Sequence, residues 1–254
     1  MAKGKEKKLT LLGHLQELRK RLFWSAIAVV ITTSISFIFA RRIFEFFTSR
    51  APGVTFVYIE VTEMVGTYMK VGIACGIVLA LPFLIYQLVM FIKPALTRRE
   101  KTYLYSLLPA IIISFGLGAA FAYYVLLPPA LRFLIEAPFA SGIAIPQIRI
   151  GNYISVVVKL IFWIGIIFEL PVVIFFLAKI GIVSSQWLAK RWKFAIVGSF
   201  VIAAIITPTF DPINQSLVAV PLIALYGVSI LVAKFARRGQ KAESYVVATA
   251  AEDK

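Results

Sequence analysis

The stretch FWIGIIFELPVVIFF, residues 162–176, decides the class of fold. It is apolar enough to lie in hydrocarbon, yet it carries one acid, Glu169, two residues before Pro171. A carboxylate at the centre of a membrane helix costs about 2.5–3.5 kcal/mol on insertion scales. The sequence therefore predicts a membrane-spanning helix in which the acid has a purpose.

The composition of the whole chain agrees with this interpretation. Of its 254 residues, 60% are hydrophobic, and the mean hydropathy is +0.89, which excludes an ordinary water-soluble domain. A helix needs about 20 mostly apolar residues to cross a bilayer. The candidate spans are 22–40, 70–92, 104–127, 154–178, 194–207 and 213–233. The predicted fold class is all-α, a polytopic membrane protein with six transmembrane helices.

The formal net charge of +15 is distributed unevenly along the chain. Twenty of the 27 Lys and Arg residues lie in the two termini and in the loops on the same side of the predicted spans. Five lie in the loops on the other side, and Lys70 and Lys159 stand at the starts of two spans. This is the positive-inside pattern, so both termini are predicted to be cytoplasmic. Orientation explains the positive charge, and no nucleic-acid partner is predicted.

Residue patterns typical of catalysis or of a bound cofactor are missing from the sequence. Cys75 is the single cysteine and therefore forms no disulfide within the chain. His14 has no Cys or carboxylate partner at metal-ligand spacing, and there is no glycine-rich phosphate loop or Ser/His/Asp set. The sequence predicts no enzyme, no cofactor and no metal site. It favours a membrane machine or carrier that is driven by an external source of energy.

Three segments are predicted along the chain. Residues 1–21 form a cytoplasmic amphipathic segment, 22–233 a six-span membrane domain, and 234–254 a polar cytoplasmic tail without regular structure. In the first segment leucines recur at helical spacing and form a stripe on one face. The leucines of this stripe are Leu11, Leu12, Leu15, Leu18 and Leu22. Such a helix is expected to lie at the membrane surface.

The fifth predicted span is short. Its residues, 194–207, rise only about 21 Å as a helix. Either the helix continues into the preceding polar stretch LAKRWK, residues 188–193, or the local bilayer is thin. The linker TPTFDP, residues 207–212, holds only a turn. The last two spans are therefore predicted to form a tight hairpin.

A faint repeat relates the second and fourth predicted spans. Lys70, Gly76, Leu81 and Pro82 have the same spacing as Lys159, Gly165, Leu170 and Pro171. Four matches among apolar segments also arise easily by chance. If the repeat reflects a shared plan, each proline kinks its helix and frees a backbone carbonyl.

Two acids, Glu17 and Glu100, are predicted on the cytoplasmic side. Glu17 stands four residues before Arg21, and such a helical pair contributes about 0.2–0.5 kcal/mol, while Glu100 fits a solvated loop charge. The alternative is functional. Carboxylates among cations stay ionised and can accept bidentate hydrogen bonds from the guanidinium groups of an incoming chain. The residue pattern alone leaves both interpretations open.

A series of motifs occurs in order between residues 9 and 235. They are HLQELRKRL at 14–22, LPFLIYQL at 81–88, FIKPAL at 91–96, RREK at 98–101, GAAFAYYVLLP at 118–128, FELPVVI at 168–174 and TPTFDPINQSLVAVPL at 207–222. Together they resemble the TatC family, the multi-pass subunit of the twin-arginine protein translocase. The resemblance implies a cupped six-helix bundle in the prokaryotic cytoplasmic membrane.

The resemblance also implies a function and partners. It implies a receptor for signal peptides that bear paired arginines, acting on cargo proteins that are already folded. It implies assembly with the single-span subunits TatA and TatB, or with one TatA-like equivalent, and the use of the proton gradient. Oligomers and contacts with membrane lipids are expected as well.

The resemblance further assigns residues to the signal-peptide site. Glu17 and Glu100 hold the positions at which the family recognises the arginine pair. The residues expected around them are His14, Leu18, Arg19, Phe91 and Pro94. Where the family often has Tyr-x-His before the loop acid, this chain has Thr97, Arg98 and Arg99. The added positive charge predicts a weaker attraction for a cationic peptide at this loop.

The polar residues within the last three spans have alternative interpretations. Glu169 is either a neutral buried acid bonded to carbonyls loosened near Pro171, or a polar handle that binds a partner span or water; the resemblance favours the handle. Asp211 precedes a proline and fits a helix N-cap. Thr207 and Gln215 are predicted to hydrogen-bond a neighbouring helix. In the family this patch contacts the single-span subunits.

A proton-coupled secondary transporter with Glu169 as its ion site is the rival function. The absence of a clear internal repeat and the scarcity of intramembrane polar groups argue against it. A carrier of this kind would depend on Glu169 and would tolerate the loss of Glu17.

Overall fold

The computed structural model describes residues 11–49, 51, 54–92, 98–135, 147–207 and 211–252. Its helices are α1 (Leu11–Thr48), α2 (Glu63–Ile92), α3 (Arg98–Phe121), α4 (Leu127–Ile135), α5 (Ile150–Ile167), α6 (Leu170–Lys179), α7 (Ser185–Lys190), α8 (Trp192–Ile206) and α9 (Pro212–Glu252). A π-helical turn, Ala122–Leu126, joins α3 to α4. The strands β1 (Phe56–Val57) and β2 (Ile148–Arg149) form a short parallel pair.

The prediction of an all-α membrane protein is confirmed. The described residues contain five helical stretches that are long and apolar enough to cross a bilayer. They are Leu15–Thr48, Glu63–Leu88, Leu107–Phe133, Ile150–Lys179 and Pro212–Ala236. The shorter apolar helix α8 is the sixth element. The described part of the chain is thus a bundle of six apolar helical segments.

Helix α1 is longer than the predicted first span because its sequence contains no helix-breaking residue after Gly13. It runs without interruption through the amphipathic segment, the span and the first residues of the predicted outer loop, and it has no Gly or Pro between residues 14 and 48. Leu15, Leu18 and Leu22 of its N-terminal stripe are exposed. This apolar face is therefore available to the membrane interface rather than to the protein core.

The main core lies where α2, α3 and the π-helical turn meet α5, and a smaller buried cluster joins α6, α7 and α9. Helix α1 packs along α2, while α2 and α3 pack on α5, and α6 and α8 pack on α9. Buried residues of α5 and of the π-helical turn occupy the centre, with Leu127 and Val71 completely enclosed beside them. Phe46 stacks on Tyr123, whose hydroxyl donates to the Phe46 carbonyl oxygen at 2.8 Å and so ties α1 to the turn.

Two glycines of the sequence repeat lie at helix crossings. An added Cβ on Gly76 of α2 would approach the Thr33 Cα of α1 to 2.5 Å, and one on Gly165 of α5 would approach the Phe115 ring of α3 to 2.5 Å. The Thr32 hydroxyl donates to the Gly76 carbonyl oxygen at 2.8 Å. The repeated glycine therefore allows close helix packing in both spans.

Replacing Gly76 by alanine is expected to destabilise the α1–α2 pair. The new methyl group meets backbone atoms that cannot rotate away, and overpacking of this kind costs about 1–3 kcal/mol. Gly66→Ala in the same helix is the matched control, because its Cβ would meet nothing within 4 Å, and the gain in helix propensity should leave it as stable as the parent or slightly more stable. Thermal unfolding of both variants in detergent measures the difference. Equal unfolding temperatures would contradict this packing.

The fourth span is broken at Glu169. Helix α5 ends at Ile167 and α6 begins at Leu170, since Pro171 has no N–H to continue the hydrogen-bond ladder. The Phe168 carbonyl oxygen instead accepts a hydrogen bond from the Ser114 hydroxyl of α3. A neighbouring helix thus supplies a donor at the break, whereas α2 runs without a break through Pro82, the matching proline of the repeat.

The polar stretch LAKRWK, residues 188–193, is divided between two helices. Helix α7 ends at Lys190, Arg191 leaves helical geometry with φ −106° and ψ 13°, and α8 begins at Trp192. Helix α8 therefore takes in only the last two residues of LAKRWK, Trp192 and Lys193, and its 15 residues rise about 22 Å.

The C-terminal segment differs from the prediction. A tail without regular structure was expected from residue 234, but α9 continues to Glu252. The physical reason is that polarity does not oppose a helix. The segment has no proline after Pro221, and it is rich in Ala, Lys, Arg and Glu, which favour helices.

Candidate functional site

The candidate peptide site begins at the N-terminal end of α1, where Glu17 meets Arg21. The Arg21 Nε donates to Glu17 Oε1 at 3.1 Å, and Nη2 of the same guanidinium donates to the same oxygen. Arg21 Nη1 also donates to Gln87 Oε1 of α2 at 3.2 Å. The side chains of Arg21 and Glu17 are 20% and 23% exposed. The contact with Gln87 therefore fixes the Arg21–Glu17 pair against α2.

The predicted i, i+4 pair is present, but Arg21 occupies only one oxygen of the Glu17 carboxylate. Both Arg21 donors go to Oε1, and among the described residues Oε2 of Glu17 has no hydrogen-bond partner. A carboxylate has about four lone-pair sites and can accept from two guanidinium groups. Arg21 and Gln87 therefore orient Glu17, and one of its carboxylate oxygens can still accept hydrogen bonds.

The structure describes the other predicted peptide-site residues to different extents. Leu18 and Arg19 are exposed on α1, and Phe91 is half-buried in the last turn of α2. His14 lies in α1, and Glu100 is the third residue of α3, but the side chains of these two are not described. Pro94 lies outside the described residues. The contact of Glu100 with Glu17 remains a prediction.

The backbone position of Glu100 favours its negative charge. The residue lies in the first turn of α3, where the unpaired N–H groups of a helix present a partial positive charge. Arg98 and Arg99, which precede it in the same turn, add two cations. A helix N-terminus of this kind favours an acidic residue over a basic one.

Glu169 is the acid inside the membrane domain. Its two carboxylate oxygens are shielded from solvent and have no hydrogen-bond partner among the described residues. The expected bonds to loosened backbone carbonyls are thus not formed. A buried polar group without a hydrogen-bond partner destabilises the fold.

The polar patch at the α8–α9 turn is built mainly by helix capping. Asp211 Oδ1 accepts from the Asn214 backbone N–H at 2.7 Å, and Oδ2 accepts from the Asn214 side-chain amide at 3.0 Å. This is the predicted N-cap of α9, with proline at the first helical position. The Thr207 hydroxyl donates to the Ala203 carbonyl oxygen within the α8 turn at 2.9 Å.

Gln215 makes the predicted contact between helices. Its amide nitrogen donates to the Phe200 carbonyl oxygen of α8 at 2.9 Å and so closes the α8–α9 hairpin. Beside it lies an open groove of about 590 Å³ along α8. The groove is lined by Ile196, Val197, Phe200, Val201, Ala204, Ile205 and Gln215. An apolar helix face with one amide group at its edge is typical of a helix-docking surface.

Sequence reasoning missed an ion-pair network at the opposite end of the bundle. Glu63 Oε2 accepts from Arg149 Nη2 and from the Ile59 backbone N–H, each at 3.0 Å, and Oε1 accepts from the Gly151 N–H at 3.2 Å. The hydrogen bond to Glu63 raises the pKa of Arg149. The network ties the β1–β2 region to α2 and α5. Because the two partners are 86 residues apart, no local pattern in the sequence identifies it.

These features define a class of protein before any comparison is made. The long apolar helices place the described part of the chain among the polytopic membrane proteins. Among the described residues no group of three or more His, Cys, Asp or Glu side chains could hold a metal ion.

Comparison with known proteins identifies the family. The sequence model described as "Sec-independent protein translocase protein (TatC)" matches residues 13–221. Sec-independent protein translocase protein TatC from Aquifex aeolicus (strain VF5) is 40% identical over 237 residues, which are 92% of this chain and 98% of that protein. The TatC of Carboxydothermus hydrogenoformans is 39% identical over 232 residues, 91% of this chain and 95% of that protein. This chain belongs to the TatC family.

A solved structure agrees with this assignment. A crystal structure of the twin-arginine translocase receptor TatC matches with a TM-score of 0.78 and 41% identity, and the match covers 88% of this chain and 99% of that chain. The predicted resemblance and the predicted six-helix fold are both confirmed by these findings.

Proposed function

We propose that this protein is the signal-peptide receptor and core subunit of a twin-arginine translocase, which exports folded proteins across the prokaryotic cytoplasmic membrane with the energy of the proton gradient. Two lines of support converge. The relatives are translocase proteins, and the matched crystal structure is that of a translocase receptor. The chain also presents an oriented carboxylate that suits a guanidinium ligand.

The available oxygen of Glu17 is the observation that carries the proposal. Arg21 donates to one oxygen only, and its remaining contact is the hydrogen bond from Nη1 to Gln87 of α2. An incoming arginine can therefore bind at Oε2 without displacing Arg21. Planar guanidinium groups match carboxylates with two parallel hydrogen bonds, whereas a lysine ammonium acts as a point charge. A site of this type discriminates paired arginines from paired lysines.

The distribution of basic residues supports docking of the peptide on the cytoplasmic side. The segments that carry Glu17 and Glu100 belong to the side with twenty of the 27 basic residues, which is the cytoplasmic side under the positive-inside rule. Cargo proteins fold in that compartment. A receptor with both termini in the cytoplasm therefore presents the two acids to the peptide before export.

Single-span subunits of the TatA and TatB kind, or one TatA-like equivalent, fit the groove along α8. The groove exposes an apolar face, and Gln215 still has its amide oxygen for a polar group of a partner helix. Glu169 would offer a second polar contact within the membrane once a partner displaces the groups that enclose its carboxylate oxygens. Asp211 and Thr207 act indirectly in this proposal, because capping and helix-terminal hydrogen bonds hold the hairpin that shapes the groove.

The short length of α8 extends the proposal to the thickness of the membrane beside it. Helix α8 rises about 22 Å, compared with about 30 Å of hydrocarbon in an ordinary bilayer. The membrane beside α8 must thin or the helix must be covered by other subunits. A thinned region next to the partner groove suits the passage of bulky folded cargo.

A peptide-binding measurement tests the proposal. The purified full chain in detergent is mixed with an immobilised signal peptide that carries two arginines, and with the same peptide carrying two lysines. We expect retention of the chain to be at least tenfold greater on the arginine peptide, which corresponds to about 1.4 kcal/mol. Equal retention on the two peptides would rule out arginine recognition by the isolated chain.

A further inference from the structure

A second groove lies between α2 and α5, away from both proposed sites. Its volume is about 430 Å³. It is lined by Lys70, Ile73, Ala74, Ile77, Ser155, Val158, Lys159, Phe162 and Trp163. Two of these residues, Lys70 and Lys159, are the matching lysines of the sequence repeat. The fold thus brings the repeated cations to one groove.

Both lysines lie within the first three turns of their helices. Lys70 is the eighth residue of α2 and Lys159 the tenth of α5, so they lie about 10 and 14 Å from the helix starts along the axis. Long ammonium side chains at this depth reach back toward the interface. The two helices start on the same side of the bundle, where β1 and β2 pair. The cations therefore belong to the same leaflet.

The positive charge of the groove is not neutralised by the protein. The Lys70 Nζ donates to the Ser155 hydroxyl at 3.2 Å, and that hydroxyl donates to the Gly151 carbonyl oxygen at 2.6 Å. In the described part of the chain neither Lys70 nor Lys159 has a carboxylate at ion-pair distance, and none of the lining residues is an acid. Cations at the edge of hydrocarbon are costly unless an anion accompanies them.

The rest of the groove is apolar and leads away from the lysines. Ile77 of α2 and Trp163 of α5 lie about one further turn or more into the membrane, and Ile73 and Trp163 are 43% and 42% exposed. The groove therefore has two lysines at one end and an apolar surface that continues from them along α2 and α5. A ligand that fits it has an anionic head and a hydrocarbon chain.

We propose that this groove binds an anionic phospholipid. Its phosphate lies between the ammonium groups of Lys70 and Lys159, and the Ser155 hydroxyl orients Lys70 toward it. One acyl chain follows the apolar floor past Ile77 to Trp163. The charge complementarity selects an anionic lipid over a zwitterionic one, since each cation near the surface contributes to such selection. The bound lipid would bridge α2 and α5, the two helices that carry the core.

Lipid retention by the full chain tests the proposal. The protein is purified in mild detergent, supplied with equal amounts of phosphatidylglycerol and phosphatidylcholine, and analysed by native mass spectrometry. We expect preferential retention of phosphatidylglycerol, reduced about fivefold by Lys70→Gln or Lys159→Gln and further by both together. The control is Arg42→Gln, which removes an exposed cation outside this groove and should leave retention unchanged.

A groove-filling variant separates a bound lipid from a bound phosphate ion. Ile77→Trp retains both lysines but obstructs the acyl path, so it should also reduce retention of phosphatidylglycerol. Inorganic phosphate should fail to displace the lipid. Equal retention of both lipids, full retention by the double lysine variant, displacement by inorganic phosphate alone, or the finding of a co-purified protein helix in this groove would overturn the proposal.

Discussion

Replacing both Glu17 and Glu100 by glutamine is expected to abolish export of a twin-arginine cargo, and each single replacement to reduce it at least tenfold. Glutamine has nearly the same shape as glutamate but carries no charge, and it lacks the second acceptor oxygen that a guanidinium group uses. Removal of one acid from a charge pair costs about 2–5 kcal/mol when the pair is desolvated. The effect of the double variant should be larger than that of either single variant.

Export of a reporter cargo into the periplasm of cells that lack their own TatC measures this effect. Glu45→Gln is the matched control, because Glu45 is also an acid of α1 that pairs with an arginine four residues away, but it lies at the other end of the helix and is 62% exposed. The control should export normally. Normal export by the Glu17→Gln, Glu100→Gln double variant would contradict the proposed receptor site.

Replacing Glu169 by leucine is expected to raise the stability of the protein and to lower its export activity. The carboxylate oxygens are buried without a hydrogen-bond partner, and relief of such a group is worth about 1–3 kcal/mol. Leucine is similar in volume and suits the apolar surroundings. If the replacement stabilises the protein but lowers export, Glu169 serves partner binding rather than stability, as proposed above.

Thermal unfolding in detergent and the same export assay measure the two effects. Lower stability of Glu169→Leu would show that the acid braces the break between α5 and α6, and normal export would remove its role in partner binding. The pair Glu17→Ala and Glu169→Ala also separates the receptor from a proton-coupled transporter. A transporter would depend on Glu169 alone, whereas the receptor depends on both.

Much of the fold follows from local properties of the sequence. Apolar runs predict the six spans because a bilayer demands length and hydrophobicity from each helix separately. Asp211 could be assigned as an N-cap because a cap depends only on its own residue and the next few. Proline alone does not locate the break near Pro171, because Pro82, Pro109 and Pro221 lie inside continuous helices.

The details that depend on distant residues could not be predicted. Gln87 is 66 residues from Arg21 and Glu63 is 86 residues from Arg149, so neither contact leaves a periodic signal. The sequence also could not decide where α7 ends and α8 begins, because the polar stretch before α8 is compatible with a continuous helix. The length of α1 and of α9 was underestimated for a similar reason, since polar residues end a membrane span without ending a helix.

The candidate site shows the same division. The pairing of Glu17 with Arg21 follows from helical spacing, and the structure contains it. The fact that both arginine donors use one oxygen, with the other left available, depends on the position of α2 and became visible only in three dimensions. The roles of Glu17 and Glu100 in peptide binding remain predictions that rest on this geometry and on family membership.

Site-specific crosslinking tests the central claim most directly. A photoreactive residue is placed at position 17 or at position 100 of the full chain, and a signal peptide is added to membranes that contain it. The account predicts that both positions crosslink to residues next to the arginine pair of the same peptide, and that both crosslinks disappear when the two arginines are replaced by lysines. Crosslinks that persist with the lysine peptide, or that form from only one of the two positions, would contradict it.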